Sequence, residues 1–302
     1  MENAPSGGVL CPICGSDLIR MQYHFNQPRE RTIGYKTYAC SNTETSKPDV
    51  LSCTNCDHWF SNPLFWPKDL ESLYQEVVDH EYIKMKTSKE KTFTKSAKVS
   101  NKLFDSAGTL IEIGSYTGMF LSPMRNLGWE CIGIEPSTWA TEIARRSGHE
   151  IRQGTFESIV SLGNLEKADL IVSWDVVEHV RDPKKFLSDA KTLMKDSSYL
   201  VVSTLDRSSL FAKIMGRNWP WIIEMHLHYF DINTFKSLAN SLGLELIKYG
   251  THVHYATLSY MLRKLFPKMP LYKLIPTFLG KIAIPIGLGD VKYFVLKKRE
   301  NY

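Results

Sequence analysis

No stretch of this 302-residue chain stays apolar for the ~20 residues that crossing a bilayer requires. Low-complexity tracts are absent too, which excludes a repetitive or compositionally disordered scaffold. The opening Met-Glu-Asn-Ala-Pro-Ser-Gly-Gly has neither the basic start nor the apolar core of a secretory signal. The expectation is therefore a cytoplasmic protein whose thiols stay reduced. Charge is weak: a net +5 permits an acidic or phosphorylated partner without demanding one.

What is present is an ordinary globular composition, 43% hydrophobic and 23% charged, on a chain long enough for one large domain and a small one. Four of the six cysteines fall into two C-x2-C pairs, Cys11/Cys14 and Cys53/Cys56. Two cysteines at that spacing reach one ion around a tight turn, and two such knuckles complete a tetrahedral S4 shell suited to Zn2+. Gly15 fits the first knuckle turn, and a four-thiolate shell leaves no open position, so the expected zinc is structural. Buried free thiols are the plainer alternative. The long gap between the pairs adds Cys40 as a substitute ligand, and His58 follows the second pair as a nitrogen donor.

The chain divides into a zinc-binding ribbon over 1–67, a helical linker over 68–108 and an α/β domain over 109–302. Within the linker, Asp69 to Tyr82 reads as one helix from the spacing of Leu70, Leu73, Tyr74, Val77 and Val78. A second helix carries the lysines between Lys84 and Lys102 on a solvated face. From Thr109 short apolar runs alternate with helical stretches. The strands are placed at Thr109–Gly114, Glu130–Glu135, Ile151–Phe156, Ala168–Trp174 and Tyr199–Thr204. Such alternation means right-handed crossovers and a parallel sheet covered on both faces.

Ligands of such sheets bind at the carboxyl ends of the strands, where the turn Gly114-Ser115-Tyr116-Thr117-Gly118 follows the first strand. Glu135 ends the second strand, where a carboxylate can accept both hydroxyls of a ribose. The dinucleotide fingerprint G-x-G-x-x-G is missing, because Tyr116 and Met119 stand at its second and third glycine positions. A nucleoside bearing a carboxylate fits better than one bearing a pyrophosphate.

Three segments match in order and spacing: Glu112 to Gly118, Gly133-Ile134-Glu135-Pro136-Ser137, and Trp174-Asp175-Val176-Val177-Glu178-His179-Val180-Arg181-Asp182-Pro183. They resemble the first three motifs of class I S-adenosylmethionine (SAM)-dependent methyltransferases, and the E-H-V-x-D-P ending resembles the branch containing ubiquinone-pathway O-methyltransferases. With the cysteine knuckles ahead, the chain is also similar to bacterial sugar and surface-polysaccharide methyltransferases with a zinc-binding head. The resemblance implies an α/β, Rossmann-like, seven-stranded sheet with a final antiparallel strand at Val291–Leu296. It implies SAM held by Glu112, Gly114, Ser115, Tyr116, Gly118, Glu135 and Pro136, with Phe156 beside adenine and Trp174 at the inner wall. Core packing is the plainer reading of Phe156 and Trp174. Tyr116 departs from the glycine that the family usually has, and this is expected to narrow the turn's freedom.

Methyl transfer is an in-line displacement, so the protein supplies alignment and, for a hydroxyl or amine acceptor, a base. The insertion over 205–230 is expected to be the substrate lid, with Trp219 and Trp221 as an apolar wall. His226 is the expected general base, with His228 as its fallback and His179 and His254 as weaker candidates. The acceptor is expected to be a small molecule or glycan, with a membrane surface or lipid-linked sugar contacting 256–286. Nucleic acid is disfavoured by the modest charge and by the lack of an N-P-P-Y-type base-flipping motif. An RNA methyltransferase and a catalytically silent SAM-binding module are the rival readings.

Overall fold

The computed structural model describes residues 8–25, 34–42, 46–265, 274–280 and 282–299. The amino-terminal part carries β1 (Ile19–Tyr23), β2 (Val50–Cys53) and β3 (Trp59–Ser61). Then come α1 (Leu70–Gln75), α2 (His80–Lys84) and α3 (Lys86–Asn101). The single helix expected from Asp69 to Tyr82 is thus two. Asp79 breaks it, because its carboxylate accepts the Tyr82 N–H at 3.0 Å and starts α2 as an N-cap. Six of the seven lysines from Lys84 to Lys102 are exposed, as a solvated face requires, while Ser88, Thr92, Ser96, Ala97 and Ser100 form the buried stripe of α3.

The alternating part follows as β4 (Thr109–Ile113), α4 (Leu121–Asn126), β5 (Glu130–Glu135), α5 (Thr138–Arg146) and β6 (Glu150–Gln153). It continues as α6 (Phe156–Ser161), β7 (Ala168–Ser173), α7 (Pro183–Thr192) and β8 (Met194–Leu205). Helix starts follow local chemistry: Ser137, Thr155 and Asp182 each accept a backbone N–H at the head of α5, α6 and α7. Pro183 at the first position of α7 fits its fixed φ.

Downstream lie α8 (Leu210–Met215), β9 (His228–Tyr229), α9 (Ile232–Ser241), β10 (Leu244–Thr251) and β11 (His254–Thr257). The chain then forms α10 (Leu258–Leu265), α11 (Thr277–Gly280), β12 (Ala283–Ile286) and β13 (Val291–Lys298). The stretch 256–286, expected to meet a lipid or membrane surface, lies partly outside the described residues.

The main sheet has seven strands in the order β10-β13-β8-β7-β4-β5-β6. Pairing is parallel from β8 to β6, and β13 runs antiparallel between β8 and β10. The order reverses beside β4, so the crevice at the carboxyl ends of β4 and β7 is where a ligand belongs. One core cluster includes Ile111, Ile171, Phe186, Phe235 and Phe294, and a second includes Leu110, Phe120, Trp129 and Val201. Because β4 and β7 are covered on both faces, they read as nearly continuous apolar runs.

The second sheet runs β1-β2-β3-β9. Its last strand comes from the 205–230 insertion, with Trp59 opposite Tyr229 and Phe60 opposite His228. Arg207 reinforces this junction: its guanidinium donates to the Asp57 carbonyl at 2.6 Å, pairs with Asp231 and stacks over the Trp59 ring at 4.6 Å. The insertion therefore completes the amino-terminal sheet.

Candidate active site and metal centre

The four paired cysteines converge. Cys11 and Cys56 sulfurs lie 3.6 Å apart, as do those of Cys14 and Cys53, and all four lie within 4.8 Å of one another. A disulfide would be about 2.05 Å. The edge of a tetrahedron with Zn–S bonds of about 2.3 Å is roughly 3.8 Å, so the spacing fits four thiolates around one zinc. Both knuckles turn the same way. Gly15 N–H bonds the Cys11 carbonyl and Asp57 N–H the Cys53 carbonyl, each at 2.9 Å, with positive φ of 72° and 58°. Burial pushes the Cys11 thiol up to about 11, a shift that a bound cation reverses. Cys40 is not part of this cluster, and His58 turns away to meet His228.

At the carboxyl end of β4, Gly114 has φ 76°, and a Cβ there would lie 2.5 Å from Val176 Cγ2. Tyr116 takes φ 47°, so the turn keeps the left-handed geometry of a glycine despite its side chain. The ring packs edge-on to Tyr82 at 4.6 Å and its hydroxyl donates to Asp79 at 3.2 Å, which holds the strained backbone. Asp79 also accepts the Ser41 N–H at 2.9 Å, so the zinc-bearing region reaches the turn through one carboxylate.

Glu135 spreads its two oxygens over the Tyr116 and Ser137 N–H groups, each at 2.8 Å. Burial raises its pKa to about 7 against the pull of those two bonds. Pro136 links it to the Ser137 cap. Burial, then the charge of Glu135, lifts Glu112 well above the usual carboxylate range. Glu112 Oε2, Ser115 Oγ, Thr117 Oγ1, Ser173 Oγ and Trp174 Nε1 are buried without a hydrogen-bond partner. Five orphaned polar groups around one glycine-bearing crevice match the demands of a polar nucleoside cofactor. Phe156 packs on Phe186 at 5.3 Å in the core, and Trp174 lies between Phe120 at 5.2 Å and His252 at 4.9 Å.

The histidines separate into different roles. His226 donates Nδ1–H to the Trp221 carbonyl at 2.8 Å, and His179 donates Nδ1–H to the Met225 carbonyl at 2.9 Å. In the neutral tautomer each then carries its lone pair on Nε2. Their rings lie 4.8 Å apart, and with the buried Glu178 carboxyl they form a group whose ligand atoms fall within 4.8 Å. Such a set can hold a metal or share a proton. Burial pushes Glu178 well above its usual range, with the Asp175 charge adding to it, and burial lowers His179 to about 4.

His228 is different. It donates Nε2–H to the Val180 carbonyl at 2.9 Å and accepts from His58 at 3.1 Å, so neither ring nitrogen remains for an acceptor. It is a strand residue of the junction between the two sheets. The Trp219 and Trp221 indoles both donate to Asp290 Oδ2, at 3.1 and 2.8 Å. Trp219 is buried in the cluster with Leu205 and Tyr229.

Sequence reasoning passed over Asp175 and His252, and gave Glu178 no chemical role. Asp175 follows β7 with φ 55° and accepts from the Ser203 hydroxyl. His252 sits just past β10. The alternation His252-Val253-His254 directly after a strand was the available signal, and it gains meaning only once β10 is placed beside β13.

A sequence profile described as a methyltransferase domain matches residues 85–249, just over half of the chain. The ubiquinone biosynthesis O-methyltransferase of Cereibacter sphaeroides is 33% identical over 118 residues, covering 36% of this chain and 47% of that protein. Its counterpart in Rhodopseudomonas palustris is 31% identical over 150 residues, covering 41% of this chain and 57% of that protein. The chain thus spans about half the length of these relatives. A SAM-dependent methyltransferase of Archaeoglobus fulgidus superposes with a TM-score of 0.50 at 18% identity, over 73% of this chain and all of that one, and shares the fold. With the motif-bearing crevice in place, the chain belongs to the methyltransferase domain family, with a four-cysteine head consistent with zinc.

Proposed function

We propose that this enzyme methylates a hydroxyl of a small molecule or glycan, with His226 as the general base. The observation that carries the reading is the His226 tautomer: its Nδ1–H is committed to the Trp221 carbonyl, which directs the basic Nε2 toward His179 and Glu178. When bound, SAM supplies an electrophilic methyl on a sulfonium. The residues around it position and shield. Glu135 and the Gly114–Gly118 turn hold the nucleoside and methionyl parts, with Glu112, Ser115 and Pro136 beside them, and Trp174 and Phe156 close the inner wall. His226 takes the acceptor proton as the oxygen attacks, and His179 fixes the ring that does so. The O-methyltransferase relatives support an oxygen acceptor.

The helix and hairpin over 254–265 and 283–286 follow β10 in the chain. A lipid-linked sugar is the partner we propose for 256–286. Among the described residues no helix is long and apolar enough to cross a membrane.

Labelled SAM incubated with sugar-nucleotide, phenolic and lipid-linked fractions, followed by product mass, tests the acceptor class. His226→Ala should lower kcat by about 100-fold with SAM affinity intact. Transfer of the label to RNA, or unchanged turnover in His226→Ala, would overturn the reading.

A further inference from the structure

Asp175, His252 and His254 form a second group of ligating atoms, all within 4.8 Å of one another. Asp175 Oδ1 lies 3.6 Å from His252 Nδ1, and Oδ2 lies 3.5 Å from His254 Nε2. These separations are too long for hydrogen bonds and leave no room for a layer of water. They do match the edge, about 3.4 Å, of a tetrahedron with ligands at about 2.0–2.2 Å from one ion.

The tautomer of His252 sharpens the point. Ser96 Oγ lies 3.2 Å from the Thr92 carbonyl and 3.0 Å from His252 Nε2, so Nε2 is engaged with α3 and Nδ1 is the ring atom turned to the Asp175 carboxylate. When Nε2 carries the ring proton, Nδ1 presents a lone pair to that carboxylate. His252 is 5% exposed and its Nδ1 has no hydrogen-bond partner. In that tautomer two acceptors face each other across 3.6 Å and repel unless a cation lies between them.

The supports are built in. Thr92 Oγ1 accepts the Tyr255 N–H at 2.8 Å, and with Ser96 it fixes 252–255 against α3. Ser203 fixes Asp175 twice, accepting its N–H at 2.8 Å and donating to its carboxylate at 2.5 Å. Outer hydrogen bonds of this kind orient the ligands of metal sites. About a third of the Asp175 side chain stays exposed.

We infer that Asp175, His252 and His254 bind one divalent transition-metal ion, separate from the zinc of the cysteine head. Two imidazoles and a carboxylate favour Zn2+, Mn2+, Fe2+ or Co2+ and leave coordination positions for water or an acceptor oxygen. The ion would lie at the carboxyl ends of β7 and β10, beside Trp174. There it would polarise an acceptor hydroxyl. That use rests on the methyl-transfer reading above, whereas the binding itself does not.

The test uses the full chain with its head zinc retained. Mn2+ is titrated and followed by the EPR signal of the free ion, and Zn2+ by calorimetry. We expect one further ion per chain. Its affinity should fall by at least about tenfold in His254→Gln and in His252→Gln, and should be unchanged in Glu178→Gln. SAM binding, measured on the same samples, checks that each variant is folded. The inference is overturned by no uptake of either ion at millimolar concentration, by unchanged uptake in folded His254→Gln, or by uptake that only Glu178→Gln removes. The first result would leave a charged His252 paired with Asp175.

Discussion

His58 and His228 meet ring to ring, Nε2 to Nδ1 at 3.1 Å, where the four-cysteine head's sheet joins the methyltransferase domain. With the His228 Nε2 proton given to the Val180 carbonyl, its Nδ1 is the acceptor and His58 the donor in the neutral pair. Burial lowers His58 well below the ordinary imidazole range and lowers His228 to about 4. The unfolded chain therefore binds protons that the folded chain refuses. Stability is full above about pH 6.5 and declines as pH falls from there towards 4, by up to about 1.4 kcal/mol per pH unit for each histidine. A Tm profile across that window should show the decline, and His228→Asn should flatten it at the expense of stability at neutral pH. An unchanged profile in His228→Asn would remove the pair from the acid response.

This junction also marks the limit of what the sequence discloses. The cysteine knuckles, the β4–α4–β5 alternation, the acidic end of β5 and the turn at Gly114 are local patterns whose spacing already specifies their geometry. The pairing of β9 with β3 is not local: Phe60 and His228 are far apart in the chain, and neither segment has a periodicity that names its partner. For the same reason the sequence does not disclose that the tryptophans of the 205–230 insertion are held by Asp290, a residue of the far carboxyl-terminal part. Asp79 had a local helix-breaking signal that apolar spacing outweighed, and its link to Tyr116 is visible only in three dimensions.

One zinc per chain should copurify with the protein and resist dialysis, as metal analysis would show. Cys14→Ser leaves three thiolates, and because binding energy at such sites is folding energy, it should expose β1–β3 to proteolysis. The junction predicts a further consequence. Loss of the head should also loosen 226–230, since β9 loses its neighbour. Hydrogen exchange at Leu227, His228 and Tyr229 in the variant should rise to the level of the surface loops. Protection unchanged there would show that β9 holds without the head.

Glu135 gives SAM binding a pH dependence. Its pKa of about 7 means that the carboxylate is only partly formed near neutrality, and the ionised form is the better acceptor for ribose hydroxyls. SAM affinity should therefore fall as pH drops from about 8 towards 6. Folding stability should move the other way, because burying the carboxylate disfavours the folded state above about pH 4.5 and protonation relieves it. Glu135→Ala should weaken SAM by about 1.5–3 kcal/mol and flatten the affinity profile, as calorimetry at several pH values would reveal.

Tyr116 offers the most direct test of how the cofactor turn is held. Its left-handed backbone costs about 1–2 kcal/mol relative to glycine. The hydroxyl bond to Asp79 and the edge-on packing against Tyr82 offset that. Tyr116→Phe keeps the strain and the packing but loses a bond to a carboxylate, so it should lower stability by about 1.5–3 kcal/mol. Tyr116→Gly removes the strain together with both contacts, so its net loss should be smaller than the sum of those contacts. The two variants should differ in SAM binding. A phenylalanine ring at this position keeps the turn pre-shaped, whereas glycine frees it and adds an ordering cost on binding. Calorimetry should therefore show weaker SAM affinity for Tyr116→Gly than for Tyr116→Phe, with a less favourable binding entropy. Equal affinities in the two variants would mean that the ring does not hold the turn.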